Sequence, residues 1–322
     1  MKKYDSKSID YNKLLTPEKH YITLNNYYRA LYQRKVYKIS LNGGFSCPNL
    51  DGTVGSGGCS FCSVLGSGDF AGNKFDPLDR QFKYIKEIMQ KKWQDGLLIC
   101  YFQANTNTYA PVEKLKQLYE QALLLDKNIV KISIGTRPDC LGDDVLDYLE
   151  ELNKKVDVCI ELGLQSIHEQ TSAIINRCHN LKCFDEAVYN LKKRNIEVVV
   201  HIINGLPYED KTMMIATAKH LAELPIDGIK IHMLHIMKNT KMALDFRQNS
   251  FPILTLDEFV CIAVLQLRYL PKNIVIHRLS GDAPLKNLIV PQWTIKKLVV
   301  LNEVDKYMRL HNYFQGDLFK KD

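Results

Sequence analysis

Three thiols, Cys47, Cys59 and Cys62, stand in one run with Gly52, Gly55, Gly57 and Gly58 and few bulky apolar side chains. Such a run has neither helical nor strand periodicity and must form a loop wrapped around something. The C-x11-C-x2-C spacing sets Cys59 and Cys62 in one tight turn and returns Cys47 from a distance, so that the thiols are expected to converge. Three thiolates leave one position of a four-position centre open. A structural zinc site is normally closed by a fourth ligand, whereas a [4Fe–4S] cluster held by three cysteines keeps one iron for substrate or cofactor. The pattern favours the cluster over zinc, and a disulfide least.

The elements that must position this loop alternate strand and helix. Apolar runs at 36–41, 97–102, 129–134, 156–160, 198–203 and 229–233 read as strands. Amphipathic segments at about 78–93, 112–125, 143–152, 184–193 and 212–224 separate them. Short, continuously apolar strands with intervening helices predict an α/β fold, a parallel sheet covered by helices and rolled by right-handed crossovers into a partial barrel. Functional groups of such a barrel sit at the carboxyl ends of its strands, and the thiol loop follows the first one. Polar residues at 103–107, 136–139, 161–166 and 204–207, with His232 and His235, are expected at the same mouth.

Upstream, residues 1–16 read as a loose arm and Pro17-Glu18 as the opening of a helix through Leu31. Downstream come an amphipathic stretch at 256–270, a seventh strand at 274–279 and a final helix from Trp293 to about His311. The expected division is an arm and helix at 1–35, a (βα)6 core at 36–240, and a C-terminal extension at 241–322 packed on the barrel.

With 322 residues, 46% of them hydrophobic, the chain can bury a sizeable core. No stretch approaches the ~20 apolar residues of a spanning helix. The start, Met1-Lys2-Lys3-Tyr4-Asp5, carries no apolar signal region, so a cytoplasmic protein with no membrane attachment is expected. Nine cysteines is an odd number, and those outside the loop read as reduced thiols. The net charge of +7, with basic runs at Arg34-Lys35, Lys192-Lys193-Arg194, Lys296-Lys297 and Lys320-Lys321, suits a phosphate-rich partner such as RNA.

These features together resemble the radical S-adenosylmethionine (SAM) enzymes, whose fold is a partial (βα)6, TIM-like barrel. The long cysteine spacing, Arg137-Pro138-Asp139, the run from Glu161 to Ser166, Asn176-Arg177-Cys178-His179 and the run from His201 to Pro207 are similar to the catalytic subunit of elongator, which modifies wobble uridines. The runs from Gly44 to Thr53, Tyr101 to Pro111 and Ser133 to Asp139 look more narrowly like the YtqA/YhcC family, which includes the tRNA-modifying MnmL branch. The acetyltransferase-like domain of the elongator subunit has no counterpart here, and Leu50 stands where the family often has Arg.

The resemblance implies that Cys47, Cys59 and Cys62 hold a [4Fe–4S] cluster whose fourth iron binds SAM, and that reductive cleavage releases a 5′-deoxyadenosyl radical. It further implies that Gln165 contacts the SAM ribose and that Arg177 contacts its carboxylate, as a planar guanidinium pairs two-pronged with carboxylates. Phe61, Gly205 and Pro207 are expected near the adenine, and Gln103, Asn105, Asn107 and Glu161 around the cofactor or substrate. The implied reaction is conversion of a carboxymethylaminomethyl group on wobble uridine 34 of tRNA to aminomethyl. Implied partners are a one-electron donor such as flavodoxin or ferredoxin and a downstream tRNA methyltransferase. Two other readings stay open: a radical SAM enzyme on a small molecule or tetrapyrrole, and a zinc-stabilised RNA-binding module. Residue by residue, Arg177 reads by default as a surface residue on a helix, His201 as a hydrogen-bonded core histidine, and Glu161 as a carboxylate that must be paired if buried.

Overall fold

The computed structural model describes residues 4, 6–63, 66, 68–249 and 251–320. Residues 1–3 and 5 of the expected arm, and Lys321 of the last basic run, lie outside the described residues. After two short 3-10 turns come α1 (Leu24–Tyr32), β1 (Val36–Leu41), α2 (Leu78–Gln90), β2 (Leu97–Phe102), α3 (Val112–Leu123) and β3 (Ile129–Thr136). Next are α4 (Asp143–Lys155), β4 (Asp157–Gln165), α5 (Glu169–Ile174), α6 (Leu181–Lys193), β5 (Glu197–Asn204) and α7 (Lys211–Glu223). The chain ends with β6 (Gly228–Met233), β7 (Ile236–Met237), α8 (Lys241–Gln248), α9 (Leu256–Tyr269), β8 (Val275–Arg278), β9 (Leu288–Val290) and α10 (Lys297–Leu310).

One seven-stranded sheet runs β1-β2-β3-β4-β5-β6-β8, with every neighbouring pair parallel. It curls into a half-barrel, the partial barrel that the βα alternation predicts. The seventh strand is the one expected at 274–279, and Thr23, just ahead of α1, forms a parallel bridge to its Ile276. Strands β7 and β9 make a separate antiparallel pair. All six residues of β2 are buried, as a strand covered on both faces requires.

Three boundaries move for identifiable reasons. The chain turns at Pro17-Glu18, where Thr16 and Lys19 pair, and α1 begins only at Leu24, with the Thr23 hydroxyl accepting from the Asn26 N–H at 3.2 Å. Strand β4 continues to Gln165, so residues 161–165, expected on a loop, belong to the strand. Side chains alternate across a strand, and Glu161, Gly163 and Gln165 face the barrel interior while Ile160, Leu162 and Leu164 pack into the core. Helix α5 has only six residues, too few to show a period in the sequence. The final helix starts later than expected, behind a 3-10 turn at Gln292–Ile295. The upstream arm is tied down: Leu14 is buried and the Tyr4 ring meets that of Tyr32 edge-on at 4.6 Å. No helix among the described residues is long and apolar enough to cross a membrane.

Helix α9 opens with a reciprocal cap between Thr255 and Glu258 and packs on α7 and α10. Its Gln266 exchanges amide hydrogen bonds with Asn204 at the end of β5, at 2.8 and 2.9 Å, and gives a third bond to the Met214 carbonyl. Both residues are fully buried, so this exchange fixes α9 to the barrel mouth.

Candidate active site at the barrel mouth

The barrel interior holds a cavity of about 530 Å³, within the range of small-molecule sites. All three loop thiols line it, as do alternate residues of the surrounding strands: Lys38 and Ser40 of β1, Glu161 and Gly163 of β4, His201 and Ile203 of β5.

The thiol loop is a series of tight turns closed from outside. The Cys47 carbonyl accepts from the N–H of Leu50 at 2.8 Å, Asn49 O from Gly58 N–H at 2.8 Å, and Cys59 O from Cys62 N–H at 3.0 Å. Asn49 is fully buried inside it, donating to the Asn176 carbonyl at 2.6 Å with its amide nitrogen 3.6 Å from Cys59 Sγ. The Asn176 amide returns bonds to Ser56 O at 3.1 Å and Gly58 O at 2.8 Å. Ser60 N–H donates to Ile175 O, and Ser60 O accepts from Met242 N–H on α8. Asn176, at φ 53°, adopts the left-handed conformation that asparagine tolerates better than most side chains. Gly55 is required by close approach, since a Cβ there would lie against Asn49 Oδ1 and 2.8 Å from Cys178 Sγ. A hydrogen bond with Cys62 draws the Cys59 thiol down to about 7 against the opposing effect of burial, assisted by the charge of Arg137.

Facing the loop, Asn105 and Gln165 both take left-handed backbone conformations, at φ 59° and 67°. For glutamine this is unusual and costs about 1–3 kcal/mol; it follows a register shift between Gly163 and Gln165 and turns the side chain into the cavity. Asn105 gives its amide N–H to Phe45 O at 3.0 Å, while its buried Oδ1 has no partner among the described residues. Phe61 and Gln103 also line the cavity, Phe61 resting on the cluster of Leu206, Leu234 and Met242. Asn107 is buried and bonds to the Phe102 and Gly135 carbonyls instead of lining the cavity. Gly205, at φ 83°, lies against Leu254 and is not a lining residue.

Arg177 is a buried side chain and not the surface residue its helix-like surroundings suggest. Its Nη1 donates to Leu164 O and Ser166 O, each at 2.5 Å, and its Nε and Nη2 to His179 O at 3.1 and 3.0 Å. Of the five N–H donors of a guanidinium, one is left on Nη2, which lies 4.0 Å from Glu169 Oε2, so in this geometry Arg177 offers a further carboxylate at most a single bond and not a two-pronged one. Arg137, which the sequence marks only as part of a motif, also lines the cavity. It is paired with Asp139 at 2.6 and 2.9 Å and donates to the Arg177 carbonyl at 2.9 Å.

Glu161 is paired, as its burial requires. Its Oε1 accepts from Lys38 at 2.7 Å, and its Oε2 meets Lys230 and, at 2.9 Å, His201 Nε2. Burial alone would raise this carboxyl; the Lys230 and Lys38 ammoniums outweigh it and hold it well below the usual carboxylate range.

A family model described as the radical SAM superfamily matches residues 52–221, and one described as the radical SAM C-terminal domain matches residues 226–309. The chain belongs to the radical SAM superfamily. It is 49% identical over 304 residues, 94% of each chain, to the uncharacterized protein YtqA of Bacillus subtilis strain 168. It is 25% identical over 203 residues to the tRNA uridine(34) acetyltransferase of Methanocaldococcus jannaschii, covering 62% of this chain and 36% of that one. Its fold is similar to that of Methanocaldococcus infernus Elp3 with an N-terminal deletion, at a TM-score of 0.66 and 16% identity over 87% of this chain and 64% of the other.

A [4Fe–4S] cluster and SAM are the cofactors of this superfamily. The site's chemistry fits them. The three loop thiols line one cavity, and Cys59 and Cys62 share a hydrogen bond. The thiolates of a four-iron cluster each bind a separate iron, and three thiols leave the fourth iron for SAM. In the same cavity, the Asn105 Oδ1, without a partner among the described residues, is an acceptor suited to an ammonium such as that of SAM.

Proposed function

We propose that this radical SAM protein modifies tRNA, converting the 5-carboxymethylaminomethyl group of wobble uridine 34 to 5-aminomethyl. The observation that carries the substrate class is the match to a tRNA uridine(34) acetyltransferase, together with a net charge of +7 that suits a polyanion. In this reading Cys47, Cys59 and Cys62 hold the cluster, Asn105 accepts from the SAM ammonium, Gln165 reaches its ribose and Arg177 gives one charged bond to its carboxylate. When bound at these thiols, the cluster and SAM would supply a 5′-deoxyadenosyl radical by one-electron cleavage of the sulfonium. The chain's own contribution is to fix the thiol loop through Asn49 and Asn176, to present oriented polar groups, and to exclude water with Phe61 and its apolar neighbours. Gly205 would shape the backbone behind Leu254, and a flavodoxin or ferredoxin would deliver the electron in the cytoplasm, where a methyltransferase would take the product onward.

The reading is tested by mass spectrometry of tRNA from a strain lacking the gene. Carboxymethylaminomethyl uridine at position 34 is expected to accumulate while the aminomethyl form and its methylated product vanish. An unchanged wobble-uridine profile would refute the substrate assignment and leave the superfamily assignment intact.

A further inference from the structure

The inner wall of the cavity carries more positive than negative charge. Lys38 and Lys230 share one carboxylate, Glu161, whose side chain is 0% exposed; the lysines are 22% and 7% exposed. Both ammoniums also lie over the Tyr101 ring, at 4.3 and 4.8 Å, and Lys230 is 3.2 Å from its hydroxyl. Arg278 on β8 adds a third cation. Its partner Asp282, 3.6 Å away, is shared with Lys297 at 3.0 Å.

The histidines of this wall do not alter the balance at neutral pH. Burial first, with Lys230 second, holds His201 down to about 4, and burial keeps His232 and His277 well below the usual histidine range. Neutral His232 and His277 nonetheless present buried ring nitrogens, Nε2 and Nδ1, that have no partner among the described residues. Lys230 is itself drawn down to about 7, by burial above all; Glu161 opposes this, while Lys38 and Arg278 add to it. An enclosed wall with a surplus ammonium gains from one further anion.

We propose that this wall receives a carboxylate carried by the substrate, held by Lys38 and Lys230 with His232 and His277 as neutral hydrogen-bonding partners. The recessed position selects the source. Lys38 and Lys230 stand in mid-strand on β1 and β6, below the thiol loop, where a substituent projecting from a base reaches and a polynucleotide backbone does not. The inference rests on the tRNA reading only for the identity of the molecule bearing the carboxylate.

The test has a small-molecule arm and an RNA arm. Sodium acetate is compared with sodium chloride at equal ionic strength by thermal unfolding of wild type, Lys38→Met and Glu161→Gln. Acetate is expected to raise the wild-type melting temperature beyond chloride. Lys38→Met should lose this response, since Glu161 keeps Lys230 and the surplus cation is gone. Glu161→Gln should melt lower and respond more strongly; should it fail to fold, Lys38→Met carries the test. In the RNA arm, an anticodon stem-loop with carboxymethylaminomethyluridine is expected to bind wild type about tenfold tighter than its aminomethyl counterpart, a 1.4 kcal/mol difference. In Lys38→Met the ratio should fall towards one. No acetate response and equal RNA affinities would overturn the anion wall and leave the tRNA reading standing. A Lys38→Met protein that responds to acetate as strongly as wild type would overturn it too. A Lys38-dependent acetate response with no binding of either RNA would uphold the wall and defeat the tRNA reading.

Discussion

Replacement of Asn176 by alanine should loosen the thiol loop by a calculable amount. The amide gives two hydrogen bonds to the loop, to Ser56 O and Gly58 O, each worth about 0.5–1.5 kcal/mol. Alanine at φ 53° adds about 1 kcal/mol of left-handed backbone cost that asparagine largely avoids. The sum is about 2–4 kcal/mol, a large share of the 5–15 kcal/mol of a typical domain. Asn176→Gly relieves the backbone term and should recover roughly 1 kcal/mol of that loss. Urea unfolding of the three proteins measures the stability, and iron content after anaerobic reconstitution measures whether the loop still presents its thiols. Alanine should lower both, and glycine should lie between alanine and wild type. An alanine variant within about 0.5 kcal/mol of wild type and with full iron loading would refute the clamp, since that is the range of surface changes away from any structural feature.

Gly55→Ala should lower iron loading and cost about 1–3 kcal/mol by overpacking Asn49 and Cys178, read by the same two assays. In cluster-free protein the Cys59 thiolate should be alkylated by iodoacetamide with a pH midpoint near 7, while Cys140, pushed up to about 12 by burial, stays unreactive; site-resolved mass spectrometry separates the two. Because the folded value of Cys59 is depressed from 9, its stabilising contribution is fully present above pH 9 and is lost as pH falls through 7. Gln266→Met leaves the buried Asn204 amide unpaired and should cost about 1–3 kcal/mol in chemical unfolding.

The thiol loop was legible as a loop following β1 because residue type and spacing are local properties, and the barrel because each parallel strand is a short apolar run. The inner wall was harder to read. Lys38 and Lys230 sit inside strands whose other faces are apolar, and only the curled strand order β1-β2-β3-β4-β5-β6 brings them to Glu161 of β4. Glu161 carried a usable signal, a carboxylate in an apolar strand, which required a partner without naming it. Asn49 and Asn176 are 127 residues apart, so nothing local pointed to their bond. Arg177 illustrates the opposite case: its position was read, but the carbonyls of Leu164, Ser166 and His179 that engage its donors come from a turn and a strand end that no residue pattern announces.

The central claim is that Cys47, Cys59 and Cys62 together hold a cluster that cleaves SAM at this cavity. Anaerobic reconstitution followed by assay of 5′-deoxyadenosine tests it most directly, on wild type and on each single Cys→Ala variant, with iron, sulfide and zinc measured in the same samples. Wild type is expected to bind iron and sulfide and to release 5′-deoxyadenosine, and each variant to lose that release. Zinc without iron or sulfide in wild type, or a Cys59→Ala protein that still cleaves SAM, would contradict it.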